Sequence, residues 1–326
     1  MEIRYLQKDE YYIWNQFIDS SPQGSLYGRT WYLDALNIKY SILVVIHNSQ
    51  IMGGIVLAKN ELNCYSNPLL VKYLGIYFTP FTGFNKYNIT NEKIKISNVI
   101  IDNIYKIKTF DYFFHPSYDN WIPFYWKGYK QQIYYSYRID LKSLPSENIF
   151  SNFYKTLKTE IKFAENSGLI VEEDIKFDAF YEIHNKSFLR QGGKSPFNKK
   201  LLGNYYNVLN ETNALKSFGI KDANNNLIAV AAITYDDNCA YLVLNGIDKD
   251  LIARGTNELL LFETLKFAST VTSIYDFEGS MLQPIESFYR KFGGIYTPYM
   301  RIWKNSALNT MKLKAIDYYK KIKYGK

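Results

Sequence analysis

Asn245-Gly246-Ile247-Asp248-Lys249-Asp250-Leu251-Ile252-Ala253-Arg254-Gly255-Thr256-Asn257 joins two apolar runs of different character. Before it, Ala240-Tyr241-Leu242-Val243-Leu244 is short, apolar and aromatic, the pattern of a buried strand. After it, Glu258 to Ala268 reads as a helix, with Thr256 or Asn257 as its cap and Glu258 at its positive end. Ser273-Ile274-Tyr275-Asp276-Phe277-Glu278-Gly279-Ser280 then predicts a second strand, parallel to the first. The first amides of the helix have no internal partners and face the loop. Arg254 adds positive charge and Gly255 allows close approach, so a phosphate-bearing ligand is a natural guest. An ordinary basic surface loop would use the same residues.

The chain has 326 residues, enough for two domains, and 47% hydrophobic with 21% charged residues is the balance of a globular protein. The longest apolar runs, 42–46 and 227–233, are far short of a membrane span. Met1-Glu2-Ile3-Arg4-Tyr5 has no apolar signal segment, which places the expectation in the cytoplasm. Cys64 and Cys239 are widely separated and unflanked by His, so reduced thiols are expected, with no metal site. The net charge is +8, but six Lys and one Asp in 305–326 supply most of it. The 31 Tyr, with abundant Ile, Asn and Lys, fit an A/T-rich coding sequence. Aromatic–basic interleaving is therefore weak evidence for nucleic acid, and no DNA partner is expected.

Taken in order, Glu10–Phe17 and Thr30–Asn37 predict helices, and Ser41–His47 with Gln50–Ala58 a hairpin turning at Asn48-Ser49. Val71–Tyr77 predicts a strand, Lys95–Lys106 a helix, Phe110–Phe114 a strand, Trp121–Trp126 a short helix and Gln132–Asp140 a closing strand. Leu141–Glu147 suits a linker. The order then returns: a helix at Phe150–Asn166, a strand at Leu169–Glu173, helices at Phe177–Leu189 and Asn198–Leu209, and a hairpin of Leu215–Ile220 with Leu227–Tyr235. The strand–helix–strand unit, a helix at Ile285 and a last strand at Tyr296–Trp303 complete it. Phe124-Tyr125-Trp126-Lys127-Gly128-Tyr129 stands 164 positions before Phe288-Tyr289-Arg290-Lys291-Phe292-Gly293, and Tyr137-Arg138-Ile139 stands 163 before Met300-Arg301-Ile302. A shared offset and element order point to a tandem duplication in which only the second copy has an Arg-Gly joint.

These residues resemble the GNAT acyltransferase superfamily, and specifically its tandem branch of Fem aminoacyl transferases and polysaccharide-cluster acetyltransferase-like proteins. The marks are Tyr275-Asp276-Phe277-Glu278-Gly279-Ser280, Phe288-Tyr289-Arg290-Lys291-Phe292-Gly293-Gly294, Arg190-Gln191-Gly192 and Trp31-Tyr32-Leu33-Asp34-Ala35. The resemblance implies an α/β fold, α+β in its mixed sheet, with two tandem GNAT-like domains. They are a degenerate one at 1–145 and an acyl-donor-binding one at 146–304, followed by a basic helix at 305–326. It implies that an acyl-CoA pyrophosphate binds the loop after the fourth strand, whose amides hold the thioester carbonyl. The positions are Leu244, Asn245, Gly246, Arg254, Gly255, Thr256 and Asn257. The family loop has two glycines two apart; here Asn257 stands where the second would be. Fem enzymes, which use aminoacyl-tRNA, carry a Lys where this chain has Tyr289, followed by Arg290 and Lys291.

Acyl transfer to an amine needs a proton acceptor and donors for the oxyanion. Asp276 and Glu278 are two apart on the predicted strand, which puts both carboxylates on one face at its carboxyl end. Glu278 is the leading base, because Gly279 and Ser280 suggest open surroundings. Either carboxylate would serve equally to pair a Lys or cap the next helix. Tyr289 could return a proton to the leaving thiolate, or simply pack. His184 is placed on the helix side opposite Phe180, as a structural residue. Arg190, Gln191, Lys194 and Asn198 are candidates to hold a phosphorylated or sugar acceptor, and Lys158 and Lys162 share a helix face.

The expected function is an N-acyltransferase from acetyl-CoA or another acyl-CoA to an amine, an amino sugar of surface polysaccharide carried on a nucleotide or lipid. The alternatives are a tRNA-dependent transferase acting on a cell-wall precursor and a non-catalytic binding protein. The tail 305–326 has Leu308, Met311, Ile316, Tyr319 and Ile322 at helical spacing with lysines between. It suits packing on the enzyme, or peripheral contact with the inner face of an anionic membrane.

Overall fold

The computed structural model describes residues 1–60, 64–143, 149–189 and 195–305. In chain order it contains β1 (Glu2–Tyr5), α1 (Tyr11–Ser20), α2 (Thr30–Ala35), β2 (Lys39–His47), β3 (Gln50–Lys59), β4 (Tyr65–Ser66), β5 (Ile76–Phe78), α3 (Lys86–Ile104), β6 (Thr109–Phe113), α4 (Ile122–Trp126) and β7 (Lys130–Asp140). There follow α5 (Lys155–Glu165), β8 (Ile170–Glu173), α6 (Phe177–Leu189), α7 (Lys199–Glu211), β9 (Leu215–Lys221), β10 (Leu227–Tyr235), β11 (Cys239–Ile247), α8 (Thr256–Val271), β12 (Ile274–Asp276), α9 (Gln283–Arg290) and β13 (Ile295–Asn305). Apart from β5 and α5 the two runs share one order: strand, two helices, three strands, helix, strand, helix, strand.

The backbone forms two compact units. The first holds Met1–Leu33, Ile38–Tyr134 and the strand from Tyr299; the second holds Asp34–Asn37 and Tyr135–Pro298. In the first, the sheet order is β1-β2-β3-β4-β6-β13, with β5 on β3. In the second it is β8-β9-β10-β11-β12-β7. Each unit therefore takes in a strand from the other half of the sequence. Gln132–Asp140 does not close the first unit as expected: Arg138, Ile139 and Asp140 pair with Asp276, Tyr275 and Ile274 of β12. In turn Arg301–Asn305 of β13 pair with Phe113–Thr109 of β6.

Local chemistry explains most elements. Asn48 and Ser49 both adopt left-handed φ, 49° and 61°, the geometry of a two-residue hairpin turn. Asn85 caps α3 by accepting from the Asn88 N–H at 2.9 Å. The α4 and α9 helices both carry Pro in the first turn, and Gly128 and Gly293 reverse the chain after them at φ 76°. Three expectations need correction. The strand at Val71–Tyr77 is reduced to Ile76–Phe78, because Gly75 turns at φ 115° against the Phe114 ring. The helix from Phe150 is a 3-10 turn at Phe150–Asn152; extended Phe153 buries its ring before α5 begins at Lys155. The strand from Ser273 to Ser280 is only Ile274–Asp276.

The second unit's core is the layer between α8 and its sheet. Leu259, Leu260, Leu261 and Leu265 meet Phe218, Ile220, Ile228, Ala229, Ala231 and Ile233, with Leu157, Ile161 and Ala164 of α5 behind them. Each such leucine contributes about 1.5–3 kcal/mol by leaving water. This layer holds α8, and so the loop before it, in place.

Candidate active site

As read from the sequence, β11, α8 and β12 form a strand–helix–strand unit with parallel strands. The pairing is short, however: Cys239, Ala240 and Tyr241 oppose Ile274, Tyr275 and Asp276. Beyond Tyr241, β11 runs on to Ile247 beside β10 alone. The chain after β12 turns away through Glu278 and Gly279, at φ 56° and 63°. A register shift between Ala232 and Ile233 leaves Val243 as an extra residue, a bulge that re-aims the strand. The Asp248 N–H donates to Ile228 O at 2.8 Å. By alternation Leu244 and Gly246 also face β10, whereas Asn245 and Ile247 face the side that β12 leaves.

Helix α6 occupies much of that side. His184 Nδ1 lies 2.7 Å from Asn245 O, and a carbonyl only accepts, so Nδ1 carries the proton. Ser187 Oγ accepts from the Ile247 N–H at 2.8 Å and donates to Ile247 O at 3.2 Å. Lys186 pairs with Asp248 at 2.9 Å, which raises the pKa of the Lys186 ammonium. Among the described residues this leaves the Asn245 N–H as the donor at the edge. His184 does not lie opposite Phe180: four residues on, it shares the buried face and stacks with that ring at 6.2 Å. Burial lowers its pKa against the opposing pull of the Asn245 carbonyl, so the imidazole is neutral.

The expected ligand loop is engaged by the protein itself. Arg254 makes a two-pronged ion pair with Glu160 of α5, at 2.7 and 2.9 Å, and stacks over Phe163. The bond raises the pKa of Arg254 and lowers that of Glu160, yet both remain at the surface. A side chain at Gly255 (φ 77°) would stand 2.3 Å from Glu160 O, and one at Gly246 2.4 Å from the His184 Cα. Both glycines therefore admit the close approach of neighbouring helices on their Cα side. Buried Thr256 Oγ1 donates back to Ala253 O at 2.7 Å, and Leu244 is buried. Asn257 sits in the first turn of α8 with Oδ1 buried. Gly255→Ala is expected to cost about 2–4 kcal/mol, from left-handed strain plus the clash, as a lowered midpoint of urea unfolding.

Asp276 is a clamp. Its carboxylate, wholly buried, accepts from Arg138 Nε at 2.8 Å, from Ser136 Oγ, and from the Glu278 N–H at 2.7 Å. Arg301 and Asp111 make the matching pair in the first unit, at 2.7 and 2.6 Å, where no Arg-Gly joint exists. Glu278 lies beyond β12 in the left-handed region, so strand alternation does not place it with Asp276 on one face. Nor is its turn open: a side chain at Gly279 would stand 2.2 Å from Tyr135 O. Glu278 itself is half-buried. Tyr289 stacks on Phe277 at 4.8 Å, and burial, with the Glu278 charge adding, pushes its phenol up to about 12.

Asn198 caps α7 through Oδ1, accepting from Lys200 and Leu201 N–H groups. Lys158 donates to Ser151 O and Lys162 lies over Phe150, so both fold back on their own segment. Arg190, Gln191 and Lys194 lie outside the described residues. Sequence reading missed Glu160, Ser187 and Arg138. The signals present were the His184–Ser187 spacing of three on one helix face, and the place of Arg138 in the repeated segment Tyr137-Arg138-Ile139.

The parallel strands part after Tyr241, a bulge follows at Val243, and the Asn245 N–H faces the open edge beyond it. Residues 151–279 match the family model of the acetyltransferase (GNAT) domain, the domain of an acyltransferase. No curated protein sequence matches the chain. Among solved structures, FemX has a TM-score of 0.66 at 12% identity, covering 92% of this chain and 97% of its own. A tandem GNAT protein from the clavulanic acid biosynthesis pathway reaches 0.52 at 12%, over 93% and 97%. The C-terminal domain of a putative lysylphosphatidylglycerol synthetase from Agrobacterium fabrum reaches 0.57 at 9%, over 96% of each chain. The fold is thus the tandem, Fem-like GNAT arrangement.

Proposed function

We propose that the chain transfers an acyl group from an acyl-CoA to an amine, an amino sugar of surface polysaccharide being the leading acceptor. The observation that carries this reading is the parting of β11 from β12 beside the Asn245 N–H. An acyl carbonyl seated there has a donor for its oxyanion. The neutral amine attacks the carbonyl carbon, Glu278 takes the proton released from nitrogen, and the carrier thiolate leaves. Tyr289, protonated at neutral pH, stands near Glu278 as a donor to the leaving group. The carrier's phosphates would meet the α8 N-terminus and Arg254, once Glu160 yields it. The amino-sugar acceptor rests on the sequence resemblance alone.

The Glu160–Arg254 pair and the α6 contacts to β11 favour a second reading, a donor other than acyl-CoA such as an aminoacyl-tRNA. Titration calorimetry with acetyl-CoA separates the two. The first reading expects binding that Arg254→Ala weakens about 10-fold and Glu160→Gln strengthens, since the competing carboxylate is gone. Salt-sensitive tRNA binding without acetyl-CoA binding supports the second. Binding of neither removes both.

A further inference from the structure

The imidazole of His184 is 3% exposed, and its ring is surrounded by Phe180, Phe188 and Phe197 at centroid distances of 6.2, 5.1 and 5.7 Å. Its Nε2 has no hydrogen-bond partner among the described residues. A polar ring with one orphan nitrogen in an aromatic box is a poor way to fill space, since a leucine or phenylalanine would leave nothing unpaired. What the ring gains is one bond, from the Nδ1 proton to Asn245 O. Three residues on, Ser187 holds both main-chain groups of Ile247. The Asn245 carbonyl and the Ile247 main chain, both just C-terminal to the Asn245 N–H, are thereby held at the stretch where β12 no longer supports the strand.

We propose that His184, with Ser187, is a positioning residue for acyl transfer: it fixes the Asn245 carbonyl, and through it the setting of the Asn245 backbone, so that the Asn245 N–H on the preceding peptide is held ready for the acyl oxygen. This rests on the reading of the site given above. The edge would otherwise be free to flex, because a strand with a bulge and one missing neighbour has lost half its ladder. A pre-aimed donor needs no reorganisation when charge develops on the oxygen, so the gain falls on turnover more than on binding. Gly246 belongs to the device, since only a residue without Cβ lets the α6 backbone come this close.

Two measurements on the full chain test this. Nitrogen-15 NMR of the histidines reads the tautomer: the His184 Nδ1 should be protonated and Nε2 bare, and the ring should still be neutral at its ordinary pKa of 6.5. An Nε2–H tautomer overturns the proposal whether or not a substrate is known. Acyl transfer is then followed with acetyl-CoA or aminoacyl-tRNA, each offered with glucosamine and a lysine peptide. His184→Phe should lower kcat about 10- to 100-fold at unchanged KM, and His184→Asn, whose amide can replace the Nδ1–H, should recover most of it. Equal kcat in a folded His184→Phe protein overturns the proposal. A wild-type chain inactive with both donors counts against the reading of the site instead, and the tautomer still decides the role of His184.

Discussion

Glu278→Gln is expected to lower kcat by about 10²–10⁴-fold, the usual contribution of a general base, with little change in melting temperature. Glutamine keeps the size, and its backbone meets the same cost at φ 56° as glutamate does, so strain is unchanged. What is lost is a carboxylate that can take the ammonium proton. The left-handed backbone supports the assignment, since a non-glycine residue held there is maintained by its surroundings and such residues gather at functional sites. Here the surroundings are identifiable: Asp276 grips the Glu278 N–H, and Gly279 is pressed on the β7 backbone. Rates are compared at saturating donor, with folding checked by circular dichroism. Wild-type turnover in the Gln variant would remove Glu278 from the mechanism.

Asp276→Ala acts on stability. Its carboxylate is fully buried and Arg138 is 12% exposed, so removing it strands a guanidinium and frees a hydroxyl and an amide together. Breaking a buried pair on one side costs about 3–5 kcal/mol, a large part of the stability of a typical domain. The equivalent Asp111→Ala should cost less, because Arg301 and Asp111 are 30% and 18% exposed and water can replace the lost partner. Urea unfolding of the two variants reads the difference. Equal and small losses would mean that Asp276 is not the clamp inferred here.

Much of the fold was legible because it rests on local rules. The limits of α6 and β10 follow from periodicity, and the Asn48-Ser49 turn from residues that tolerate left-handed φ. The duplicated order was visible in matched segments such as Tyr137-Arg138-Ile139 and Met300-Arg301-Ile302. The ion pairs of Arg138 and Arg301 now give that match a physical basis. The site was less legible. Arg254 looked like a free cation, and Gly246 and Gly255 like room for a ligand, because nothing in their own segment shows what packs against it. Their partners, His184 and Glu160, lie 62 and 94 positions or more away in sequence.

The sequence by itself determined the order of most elements and the parallel β11–α8–β12 unit, both set by neighbours along the chain. Only the tertiary structure decided which sheet β7 and β13 complete, that Asp276 is a clamp while Glu278 turns away from it, and that the Asn245 N–H is the donor left at the open edge. These depend on which groups meet across long stretches of chain. A charge or a missing Cβ has the same meaning in sequence whether a ligand or another helix stands opposite, and packing alone separates the two.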